Sequence, residues 1–167
     1  MAAAQKKVIL RVSGGGLAWG YLPQDGFLRD GMVDLMGVDG RVIPIDIREI
    51  QMIAYVRDFN LDDQVDPERL GRRSFPARPR GEGLWLRLSF NEMEPLEGLA
   101  EFGLGMMDSL MGEQGVLLTP PDTRGNTLRV FVPRAAIRAV EVLGYVTAPS
   151  KKLEKKKVEG QAGLFEE

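Results

Sequence analysis

The chain has 167 residues, 44% of them hydrophobic, with twenty glycines, ten prolines and a formal net charge of −2. That is enough apolar content for one domain or two small ones, and the Gly and Pro content suits short strands and turns better than a helical bundle. Neither cysteine nor histidine occurs, which excludes cysteine nucleophiles, Ser-His-Asp triads, disulfides and thiolate or imidazole zinc sites. What remains is carboxylate, Lys, Tyr or Arg chemistry, or binding.

In chain order, Val8 to Val12 alternates in character and reads as a strand, one face of which is shared with a partner sheet. Gly14-Gly15-Gly16 permits a reversal through positive φ, and Leu17 to Leu22 returns, with Gly20 marking a bend or bulge. Met32 to Val38 is the third strand, Asp39-Gly40 a hairpin turn and Arg41 to Asp46 the fourth strand. Ile47 to Glu49 makes a short turn before a last strand, Ile50 to Val56. So small an antiparallel set predicts closure into a barrel, which removes exposed edges.

The pattern then repeats. VILRV at Val8 to Val12 answers LWLRL at Leu84 to Leu88, which sets Arg11 against Arg87; Trp19-Gly20-Tyr21 answers Glu97-Gly98-Leu99, and Val42 to Val56 answers Arg129 to Leu143. On this alignment the first turn of the second copy is two residues longer. Its middle adds a short helix, where Leu104, Met107, Leu110 and Met111 fall at helical spacing, and a Pro- and Gly-rich loop from Thr119 to Asn126. The expected organisation is mainly β: a first small barrel over 6–57, an Arg-containing linker over 58–82, a second barrel over 83–147 and a disordered Lys-rich tail over 148–167.

Strand order, bent second strand and short last strand resemble the Sm-like or SH3-like small antiparallel barrels, and the Sm-like family implies RNA binding and homo-oligomeric rings. Where that family carries an Asn and an Arg-Gly pair, this chain reads Arg29-Asp30-Gly31-Met32 and Val42-Ile43-Pro44-Ile45. The segments Arg57 to Phe59, Gly83 to Arg87, Leu117 to Asp122 and Arg129 to Ala136 also resemble an uncharacterised bacterial family of fused tandem barrels, which implies no activity. Arg69 and Arg73 resemble the Arg-x-x-x-Arg of the cyclic-di-GMP-binding PilZ barrels, with Ser109 and Gly112 standing for its second motif. Gln161-Ala162-Gly163-Leu164-Phe165 resembles the peptide with which bacterial replication and repair proteins bind the DNA sliding clamp, which implies that Gln161, Leu164 and Phe165 bind that partner.

Further candidates come from residue type alone. Arg69, Arg72, Arg73, Arg78 and Arg80 suit phosphate backbone or a nucleotide, with Phe75 available to stack, or they pair with the preceding acidic stretch and lie across the second barrel. Lys151, Lys152, Lys155, Lys156 and Lys157 form a charged tether or a DNA or RNA contact. Trp19, Trp85 and Tyr55 sit in strands and read as packing residues before stacking platforms, and Met106, Met107 and Met111 as the plug of a barrel end before a partner groove. Asp122 and Asn126, with Arg124, read as turn chemistry rather than a cation site. The expectation is a soluble cytoplasmic adaptor without enzymatic activity, cofactor or membrane contact.

Overall fold

The computed structural model describes residues 4–23, 26–104, 108–109 and 114–147, and within them the strands form one antiparallel sheet. In chain order these are β1 (Gln5–Val12), β2 (Leu17–Pro23), β3 (Leu28–Arg29), β4 (Met32–Met36), β5 (Val42–Asp46), β6 (Ile50–Val56), β7 (Gly83–Phe90), β8 (Leu96–Ala100), β9 (Gly115–Thr119), β10 (Thr127–Pro133) and β11 (Ile137–Val146). Short 3-10 turns at Ile47–Glu49 and Arg134–Ala136 lead into β6 and β11. Most of the helix expected over 104–111 and the whole tail over 148–167, with Gln161, Leu164 and Phe165, lie outside the described residues.

The sheet runs β11-β7-β8-β9-β10-β6-β1-β2-β4-β3, with β5 on β4. Val33 pairs with Leu28 of β3 and with Ile45 of β5, so β3 continues the line of β2 along one side of β4 while β5 takes the other side. Each half of the chain therefore has the same strand order, β6-β1-β2-β4-β5 and β11-β7-β8-β9-β10. The halves join where β10 pairs with β6. Among the described residues β5 does not pair with β6, so the ladder is one open sheet rather than two closed ones.

The repeat is real, but its register corrects the alignment of Arg11 with Arg87. Val8 stands opposite Gly20, and Leu86 stands opposite Gly98. Ile9 is thus the counterpart of Arg87, and Arg11 that of Ser89. The extra two residues expected in the first turn disappear. A two-residue slip leaves every side chain on its own face, so the alternating pattern could not reveal it. Gly20 and Gly98 have one reason in common: a Cβ at Gly20 would run into the Met36 carbonyl, and one at Gly98 would lie 2.9 Å from Cβ of Leu118. Both let a neighbouring strand approach closely.

Alternation in the central strands serves two cores at once. On β1, Val8 and Leu10 enter a core with Leu22, Val33, Leu35, Ile50, Ile53 and Tyr55, while Ile9 enters the other with Met52, Ala54, Val56, Leu86 and Leu88. β10 divides in the same way, sending Phe131 into the first and Val130 and Val132 into the second. The join is therefore buried on both faces.

Candidate functional site

The segment between the halves is strapped to both of them. Leu70 plugs into the second core, and Glu68, 3% exposed, receives Nε and Nη2 of Arg11 at 2.7 and 2.8 Å. A buried carboxylate is tolerable when it is paired and hydrogen-bonded, and the planar guanidinium fork supplies both. Asn126, at the end of the loop between β9 and β10, donates to the carbonyls of Asp58 (2.7 Å) and Pro67 (2.8 Å) and accepts from the Asp58 N–H (2.9 Å). Thr127 adds a hydrogen bond to the Glu68 carbonyl, and Arg57 donates to the carbonyls of Thr123 and Gly125. Asn60, Nδ2 bonded to the Pro67 carbonyl, and Arg69 hold φ at 48° and 47°, a conformation Asn accepts more readily than Arg.

The five linker arginines do not converge. Arg73 donates to the carbonyls of Pro95 (3.1 Å) and Glu94 (2.7 Å), and burial pushes its pKa down. Arg78 donates to the Tyr145 carbonyl at the end of β11, at 2.8 Å. Arg69, Arg72 and Arg80 are exposed. Arg73 lines an open groove of about 370 Å³ with Arg11, Asp66, Glu68 and Glu94, so carboxylates outnumber guanidiniums there, and Arg69 is not part of it. Ser109, the other PilZ-like position described, donates its hydroxyl to the Gly115 carbonyl at 2.8 Å.

Phe75 does not wait for a base. It packs edge-on against Trp85, with ring centroids 6.2 Å apart. Glu97, 4% exposed, accepts from the Trp85 indole N–H (2.9 Å), the Phe75 N–H (3.3 Å) and Arg87 (3.3 Å). Tyr55 is buried in the first core and donates to the Pro23 carbonyl, whereas Trp19 is half exposed. The Asp122 carboxylate accepts the N–H of Arg124, as turn chemistry requires. At the end of β5, Asp46 caps the 3-10 turn, and the exposed Arg48 guanidinium bonded to it lowers its pKa to about 2.

Sequence reasoning missed the strapping roles of Glu68, Glu97 and Asn126. Among the described residues no three His, Cys, Asp or Glu side chains gather as a metal site would require, and no helix is long and apolar enough to cross a membrane. Instead, exposed apolar side chains mark the two ends of the sheet: Val42 and Ile43 on β5, and Val140, Val142 and Tyr145 on β11. Both ends of the sheet are therefore topologically open edges that carry exposed apolar side chains.

No curated protein and no solved structure matches the chain. A family model described as a family of unknown function (DUF6982) matches residues 4–144, and the chain belongs to that family.

Proposed function

We propose that this member of a family of unknown function is a non-enzymatic adaptor built from two Sm-like five-stranded halves of one open sheet. The shared strand order, with a 3-10 turn before the last strand of each half, supports that reading of the halves. Its C-terminal peptide docks on the DNA sliding clamp through Gln161, Leu164 and Phe165. Arg69, Arg72 and Arg80, with the lysines of the tail, contact nucleic acid.

The observation that carries the adaptor reading is where the polar groups go. Arg11, Arg57, Arg73, Arg78, Glu68, Glu97 and Asn126 are engaged within the protein, so its body offers surface rather than a reactive cluster. The same observation weighs against cyclic-di-GMP sensing, because the Arg73 guanidinium is spent on two carbonyls. Titration of the whole protein against purified clamp is expected to saturate, and a Leu164→Ala, Phe165→Ala double variant is expected to bind at least about a hundredfold more weakly while melting unchanged. Equal binding by the double variant would refute the docking.

A further inference from the structure

Another exposed apolar face lies where the segment after β6 crosses β2. Leu17, Trp19, Phe59, Leu61 and Pro67 line a shallow slot there, with the buried Ile9 among them. The slot has a volume of only about 20 Å³, room for about one water, so it suits an apolar side chain laid across it rather than an enclosed small molecule. Trp19 is 41% exposed, Leu61 55% and Val65 83%. The backbone that carries them is nevertheless fixed. The Asp63 N–H donates to the Asn60 carbonyl at 2.9 Å, Asp63 Oδ1 accepts the N–H groups of Val65 and Asp66, and Arg11 Nη2 donates to the Val65 carbonyl at 2.8 Å. Apolar side chains set outward from a held loop beside an exposed Trp mark an interaction surface.

Charge identifies the occupant. Asp58, Asp62, Asp63 and Asp66 come from a stretch, 58–68, that contains no basic residue, and Asp63 lines the slot itself. Among the described residues none of these four forms an ion pair. Beyond Phe59 the sign reverses, with the Lys7 ammonium over its ring at 5.7 Å from the centroid. The chain carries the complement in its own sequence: the lysines at 151, 152 and 155–157, then Leu164 and Phe165, then Glu166 and Glu167. We infer that this C-terminal segment docks on the slot, with Leu164 and Phe165 against Trp19 and Leu61. Its lysines face the aspartates and its closing glutamates face Lys7, an arrangement that fixes the direction of the segment.

The chain is long enough to make the contact. Leu164 lies 18 residues beyond Val146, the end of β11, which gives a reach of about 60 Å against a body about 40 Å across. Covalent attachment supplies an effective concentration on the order of millimolar, so a millimolar affinity for the slot fills it about half of the time. Leu164 and Phe165 are also the side chains assigned above to the sliding clamp, and they cannot serve both surfaces at once. Docking on the body stands on the slot and its charges; only this competition rests on the clamp reading.

The test uses the full chain without clamp, so its outcome is independent of clamp binding. Because the sequence has no cysteine, Gly160→Cys provides a single site for a nitroxide label. In NMR spectra at low salt, the amide signals of Trp19, Leu61 and Val65 are expected to weaken at least about threefold relative to the reduced label, and more than those of any other exposed loop. Adding Leu164→Ala and Phe165→Ala to the labelled chain is expected to restore most of that intensity. So is Leu61→Ser, a change at an exposed side chain, with unchanged far-UV circular dichroism separating loss of contact from loss of fold. Nitroxide carried only on a second, isotopically silent copy is expected to leave the signals intact. The proposal is overturned if the labelled chain shows no selective weakening, if the weakening survives loss of Leu164 and Phe165, or if the second copy produces it.

Discussion

β6 and β11 hold the same place in the two halves, follow the same 3-10 turn and pair with equivalent strands, yet every residue of β6 is buried while β11 is exposed through its middle. The difference lies in the neighbour. β6 has β10 on its far side and a core on each face, whereas β11 has only β7. Sequence follows environment: Met52, Ile53, Ala54 and Tyr55 in β6 are answered by Ala139, Val140, Glu141 and Val142, and Glu141 meets Arg87 at 3.0 Å on the surface. One strand plan can thus serve as an interior wall or as an open edge, and composition alone separates the two weakly.

The largest effect expected from this contrast comes from truncating one residue of each counterpart pair. Ile53→Ala removes a fully buried side chain at the join and should destabilise the protein by about 2–5 kcal/mol. Val140→Ala, at the equivalent position, should stay within about 0.5 kcal/mol under dilute conditions. Urea unfolding of the two variants measures both. Similar losses would mean that β11 is covered in the free chain.

A smaller effect is expected where the linker is strapped to the second half. Asn126→Ala leaves the Asp58 carbonyl and N–H without their side-chain partner and the Pro67 carbonyl with only the Asn60 amide, and should cost about 1–3 kcal/mol. Limited proteolysis should then cut within the segment between β6 and β7 before the strands. A protease that spares that segment in the variant would show that Asn126 is not what holds it.

Much of the local architecture was legible because it rests on local rules. Ile50 to Val56 is β6 to the residue, Ile47 to Glu49 is the 3-10 turn, and Asp39-Gly40 is a hairpin turn in which Gly40 takes φ +83°. Long-range features were not legible. The pairing of β10 with β6 depends on two segments that fit each other, and alternation specifies a face without specifying a neighbour. Arg11 and Arg87 matched by letter but hold different carboxylates, Glu68 and Glu97, because the register differs by two. Asn126 carries the composition of a turn residue, and only the folded chain brings Asp58 and Pro67 within its reach.

The account stands on β6 being interior and β11 being a free edge. Residue-resolved amide hydrogen exchange, measured by NMR at a concentration where the protein is monomeric, tests this most directly. The β6 amides are expected to exchange only through global unfolding, and the β11 amides directed away from β7 to exchange orders of magnitude sooner. Equal protection along the two strands, or early exchange in β6, would contradict it.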